Sequence, residues 1–205
     1  MEILKTNRFT PETREWIFRW NRYYQERWGK TLPVRELGMI PKKPSWARSL
    51  IIMHPAAETP GLSFANYQKN YVAQKYLNVS LDALFGADRR QERAYALWHR
   101  GYIEADGKYR GQSAEDIDDL GIRTIRLIEY LEFSHFFKWE TGLDREKGLS
   151  LDIRGETLFP ETTTPASNIR AKAFWNPHSQ HYGLYVGLEK SHSRSISRSV
   201  REVAI

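Results

Sequence analysis

Residues 113–142, SAEDIDDLGIRTIRLIEYLEFSHFFKWETG, constrain this chain more than any other stretch. Ser113 followed three residues later by Asp116 is a capping-box spacing, in which each side chain satisfies the other's backbone N–H. Glu115, Asp116, Asp118 and Asp119 place negative charge on the positive end of the helix that follows. Gly121 is expected to break this first turn and a half, with the helix resuming from about Arg123. Leu127, Ile128, Leu131 and Phe137 then fall near one face at three- and four-residue steps, widened by Tyr130 and Phe133. Arg126, Glu129 and Glu132 take the opposite side. The two glutamates are therefore assigned to a solvated face, with an Arg126–Glu129 pair at i,i+3, rather than to an acid–base or metal-binding carboxylate pair. Gly142 is read as a left-handed stop.

The N-terminal region has a second patterned stretch. Residues 10–28 are expected to form a helix, with Thr10 as cap, Pro11 at the first position and Gly29 as terminator. Trp16, Trp20, Tyr23, Tyr24 and Trp28 alternate with Arg14, Arg19, Arg22 and Arg27. Aromatics among arginines can stack bases and neutralise phosphates. The same pattern also packs a peripheral helix onto a domain while the arginines reach out to solvent.

Between these stretches the chain alternates strand and helix signals. Residues 31–47, with Pro33, Pro41, Pro44, Lys42 and Lys43, read as a loop. SLIIM, residues 49–53, reads as a strand buried on both faces. Residues 62–77 read as a second helix with Phe64, Tyr67, Tyr71 and Leu77 on its apolar face, ending at Asn78. Residues 86–93 form a charged connector. AYALWHRGYIEAD contains a strand through Leu97 and Trp98, where His99 is given a structural role rather than that of a general base. Glu104 and Asp106 are expected to close this strand into a turn rather than hold a metal. After the central helix, residues 150–159 alternate as a strand with Gly155 as a candidate bulge, and residues 160–168 read as a loop. IRAKAFWN and HYGLYVGLE form an antiparallel hairpin. The tail SHSRSISRSVREVAI is basic and serine-rich, either a phosphate-contacting arm or, preferred slightly, a loosely held terminus.

Composition excludes several classes. At 205 residues, with 40% hydrophobic and 13% aromatic content, the chain can bury a core. It has no cysteine, hence no disulfide, thiolate metal site or cysteine nucleophile. Neither a long apolar span nor a signal-like N-terminus is present, so a cytoplasmic location without membrane contact is expected. A formal charge of +6 favours contact with polyanions. His178, His181 and His192 are the one metal-like histidine spacing, too sparse for the three or four ligands zinc needs. Phosphate loops, dinucleotide fingerprints, nucleophile elbows and zinc-protease motifs are absent. Glu140, Asp144, Glu146 and Lys147 imitate a nuclease set, but they follow a helix in one loop and are read as coincidence.

The ordered landmarks AYALWHRGYIEAD, QSAEDIDDLGIRTIRLIEYLEF, KWETG, LDIRGETLF, AKAFWN, YGLYVGLE and VREVAI resemble a family of uncharacterised hypothetical proteins from uncultivated bacteria of the candidate phyla. The resemblance runs from about residue 94 to the end. It implies a shared fold and a bacterial origin. It carries no known activity and transfers no functional residue, and the histidines of the hairpin would not be a trait of that family. Residues 143–150 lengthen a loop relative to its pattern.

The expected fold class is α+β, a mixed or largely antiparallel sheet with a long central helix packed on it and a C-terminal β-hairpin. The expected organisation is an N-terminal helix and connector over 1–47, a domain over 48–189 and a basic tail over 190–205. The leading functional expectation is a nucleic-acid-associated accessory protein using non-specific contacts from Arg14, Arg19, Arg22, Arg27, Lys190, Arg194, Arg198 and Arg201. The alternative is a structural or protein-interaction module without catalytic activity. The third is an enzyme with an unrecognised site. No metal or cofactor is expected.

Overall fold

The edge of a β-sheet exposes unpaired carbonyls, and the N-terminal helix of this chain is built to cover one. The computed structural model describes residues 9–37, 40–75, 78–85, 93–101, 103–142, 148–164, 168–176 and 183–204. Helix α1 (Pro11–Trp28) lies against β1 (Ser49–Met53), an outer strand of a three-stranded sheet. Trp20 Nε1 donates to the Leu50 carbonyl at 2.7 Å and Tyr24 OH to the Ile52 carbonyl at 2.9 Å. These are alternate residues of β1, so both carbonyls point to the same side. Tyr24 OH also accepts from His54 N at 3.1 Å. The aromatics of α1 thus blunt a sheet edge and fill the core together. Thr10 caps the helix through Thr13 N at 3.2 Å, and Gly29 ends it in the left-handed conformation at φ 63°.

The remaining elements are α2 (Pro60–Gln68), β2 (Ala73–Lys75), α3 (Leu81–Phe85), β3 (Tyr95–His99), a 3₁₀ turn (Gly107–Tyr109) and α4 (Ala114–Asp119). They are followed by α5 (Leu127–Gly142), β4 (Glu156–Thr163), β5 (Ile169–Asn176), β6 (Gly183–Lys190), β7 (Arg198–Ser199) and β8 (Val203–Ala204). The class is α+β, as expected, but the strands form two sheets. One has the order β1-β3-β8 and is antiparallel; the other has the order β2-β6-β5-β4-β7. The β5–β6 hairpin is antiparallel from Ile169↔Lys190 to Asn176↔Gly183, whereas β2 and β7 run parallel to their neighbours.

Helix α5 sits at the centre. Trp20 of α1 stacks on its Phe136 with ring centroids 4.0 Å apart. Leu127 and Leu131 are fully buried and Phe137 is half-buried. The capping box on α4 is present: Asp116 N donates to Ser113 Oγ at 3.1 Å and Ser113 N to Asp116 Oδ2 at 2.7 Å. Gly121, at φ 62°, makes the expected break.

Several expectations are corrected. Helix α5 begins at Leu127 rather than Arg123, because Thr124 is drawn into a bridge with Glu202. Gly142 is its last residue, and the left-handed glycine is Gly148 at φ 53°. Residues 69–75 do not extend α2: it ends at Gln68, and residues 73–75 join β6 instead, with Tyr76 and Leu77 outside the described residues. Strand β4 starts after Gly155 and runs on through Pro160, where the irregularity falls; Pro160 has no N–H to give its neighbour. The tail is held in place. Strand β7 pairs with β4 and β8 pairs with β3, so the terminus belongs to both sheets.

Candidate functional site

The expected basic residues do not form one open surface. Arg19 pairs with Glu140 and lies over the Trp16 ring at 4.3 Å. Arg22 pairs with Glu26 at 2.8 Å, and Arg27 donates to Asn70 Oδ1 at 2.7 Å. Arg14 is half-buried. Lys190 is exposed at the end of β6, Arg198 belongs to β7, and Arg194 reaches Asp116 at 2.7 Å. Arg201 is a correction. It is 1% exposed and cannot reach a phosphate. Its guanidinium donates to Asp152 Oδ1 at 2.6 Å, the Ile103 carbonyl at 2.7 Å and Thr157 Oγ1 at 3.0 Å. His99 is buried beside it at 3.5 Å, and that burial, with the cations of Arg201 and Arg100, lowers its pKa well below the ordinary value. His99 is thus a neutral core residue. Asp106 is also internal, accepting Glu202 N at 2.7 Å.

A different basic and aromatic grouping forms where α1 starts. The segment Pro41, Lys42 and Lys43 crosses in front of the first turn of α1, fixed by Trp98 Nε1 donating to the Pro41 carbonyl at 2.7 Å. A half-open cleft of about 700 Å³ lies between them, with Phe9, Ile40 and Trp98 as apolar walls and Thr10, Lys42 and Lys43 at its rim. Lys43 pairs with Glu12 and lies 5.4 Å from the Trp98 ring centre. Lys42 is exposed. The positive end of the helix dipole faces the same space. The prolines and lysines of residues 41–44 were legible as a loop, but nothing local in the sequence places them against Thr10 and Trp98.

The largest departure from expectation is on α5. Glu129 and Glu132, assigned to a solvated face, are both fully buried. Glu129 is the third residue of the helix and reaches back to its start, accepting Arg126 N at 2.9 Å and Arg126 Nε at 3.1 Å. It also accepts Tyr95 OH at 2.9 Å. Glu132, His135 and Lys138 follow at three-residue steps, with Glu132 and His135 facing α1 and α2. Tyr23 OH donates to Glu132 Oε2 at 3.1 Å, whereas Oε1 has no hydrogen-bond partner among the described residues. Burial outweighs the polar groups around it and pushes its carboxyl up to about 7. His135 stands among Tyr23, Tyr67 and Tyr71 with ring centroids 5.2 to 5.5 Å away. Burial lowers its imidazole to about 3, so it is neutral. Lys138 Nζ donates to Ser150 Oγ at 2.9 Å, between the rings of Trp175 at 4.3 Å and Tyr71 at 5.3 Å. Burial lowers this amine to about 8.

Among the described residues no group of three histidine, aspartate or glutamate side chains converges as a metal site would require. His178 and His181 lie outside the described residues, as do Asp144, Glu146 and Lys147, while His192 is exposed. Among the described residues no helix is long and apolar enough to cross a membrane. No protein-family model, curated protein or solved structure matches this chain.

Proposed function

We propose that this chain is a nucleic-acid-associated accessory protein that holds an exposed single strand weakly and without reading its sequence, and that it does so at the cleft beside the first turn of α1. The observation that carries this reading is the convergence of Lys42, Lys43 and a helix N-terminus on apolar walls that include Trp98 and Phe9. A flexible strand can set its backbone on the lysines and the helix end while a base enters against the rings. Glu12 neutralises part of this charge, so binding belongs at the weak, non-specific end, with Kd on the order of 10⁻⁴ to 10⁻⁶ M. The net charge of +6 supplies long-range attraction.

A protein-interaction module is the second reading. It is favoured by the carboxylate partners of Arg19, Arg22 and Arg194, which blunt the arginine surface the sequence suggested. Titration of a labelled mixed-sequence oligonucleotide at low and moderate salt separates the two. Binding that falls steeply with salt and weakens in Lys42→Glu supports nucleic-acid contact at the cleft. No binding at low salt leaves the interaction module in front. Removing the tail after Glu189 is not a usable control, because it deletes β7, β8 and the buried Arg201.

A further inference from the structure

We propose that Ser150 and Lys138 form a nucleophile–base pair able to attack an acyl carbon or a comparable electrophile. Both side chains are nearly buried, at 7% and 6% exposure, and Nζ and Oγ are 2.9 Å apart. That is the contact through which an amine withdraws a hydroxyl proton. A structural buried lysine ordinarily has a carboxylate opposite it, because an unpaired ammonium is costly to desolvate. Among the described residues no carboxylate lies within ion-pair distance of Lys138. Its neighbours are the faces of Tyr71 and Trp175, the hydroxyl of Ser150 and, one turn back on α5, the neutral His135. Burial raises the pKa of the Tyr71 phenol, so it adds no negative charge near neutral pH.

With the amine held at about 8, roughly a tenth of the molecules carry it neutral at pH 7 and most do by pH 9. The pair sits at the end of the α5 face on which exposure increases from Glu132 and His135, both fully buried, to Lys138. Tyr71 also lines a shallow depression of about 440 Å³ together with Asn70, Val72 and Gln74. In the proposed step the Ser150 hydroxyl proton moves to neutral Nζ as Oγ bonds to the acyl carbon. The bond from that carbon to its alkoxide or amine leaving group breaks, and the ammonium returns the proton to that group. Water then releases the acyl group from Ser150. The class of substrate is an ester or activated amide with a small acyl group. This inference rests on residues remote in sequence from the cleft and is independent of nucleic-acid binding.

The test is covalent labelling of the intact chain with a small fluorophosphonate, read by mass spectrometry and peptide mapping. In that reaction the Ser150 Oγ–P bond forms, P–F breaks and the proton passes to Lys138. One adduct on Ser150 is expected, with a rate that rises with pH to a plateau and has its midpoint near 8. Ser150→Ala should abolish the adduct, and Lys138→Met should slow it at least 100-fold while circular dichroism stays unchanged. Where Lys138→Met does not fold, the pH profile of the unaltered protein decides. No adduct on Ser150, a rate that climbs without plateau above pH 10, or a folded Lys138→Met labelled within threefold of the unaltered rate would overturn the proposal.

Discussion

Replacing Arg201 with methionine should destabilise the fold more than any other change in the C-terminal segment. The side chain is 1% exposed, and its partner Asp152 is fully buried. Asp152 also accepts Tyr130 OH at 2.9 Å, Thr157 Oγ1 at 2.6 Å and Ala105 N at 3.1 Å. It adopts φ 52°, which costs a non-glycine residue on the order of 1 kcal/mol and is held by this set of bonds. Methionine fills similar volume but leaves the carboxylate without its cation. Breaking one side of a buried ion pair costs about 3–5 kcal/mol. For a domain of this size that is a fall in Tm of roughly 6–20 °C at about 2–4 °C per kcal/mol. Urea unfolding followed by tryptophan fluorescence, with thermal unfolding beside it, gives both quantities. Combining Arg201→Met with Asp152→Asn should recover part of the loss, since the stranded charge is removed with its partner. A loss below about 1 kcal/mol for Arg201→Met would refute the reasoning, because Asp152 would then have to be solvated without it.

Three further outcomes follow from the same packing. Glu132 titrates near 4.5 when unfolded and at about 7 when folded, so the folded chain holds a proton that the unfolded chain has released across that window. Its contribution is therefore intact below the unfolded value and is lost as pH rises to about 7, a decline of up to ~3 kcal/mol; Glu132→Gln should flatten that slope in unfolding measured from pH 4.5 to 8. Trp20→Phe should cost about 1–3 kcal/mol by leaving the Leu50 carbonyl without its donor on a buried sheet edge, measured by urea unfolding. Leu131→Ala should cost ~2–5 kcal/mol, and a loss under about 0.5 kcal/mol would mean that α5 does not bury this residue.

Elements whose signals are local were legible in the sequence. Thr10 with Pro11, Ser113 with Asp116, and Gly121 are caps and breaks determined within a few residues of chain, and all three stand where their chemistry put them. The β5–β6 hairpin is likewise a near-neighbour pairing. What failed depends on distant partners. Glu129 and Glu132 look like solvated positions because helical periodicity records polarity and not what covers it; Tyr95 and Tyr23 bury them from far along the chain. The tail looked loose because its serines and arginines carry no strand signal, and its order comes from Asp152 meeting Arg201 across 49 residues. Residues 73–75 could not announce a strand only three residues long that takes its register from β6. Of the basic residues expected to meet nucleic acid, Arg201 was lost to the core. The lysine pair at the cleft appeared only once Trp98 had drawn the Pro41 carbonyl toward α1.

The measurement closest to the functional proposal is photo-crosslinking at low salt. A 4-thiouridine-bearing single-stranded oligonucleotide would be crosslinked to the intact chain and the modified peptides mapped. Binding at the cleft predicts crosslinks on Phe9 or Trp98 and on the peptides carrying Lys42 and Lys43, reduced in Lys42→Glu and suppressed by moderate salt. Crosslinks confined to residues 190–204, or none at low salt, would contradict it.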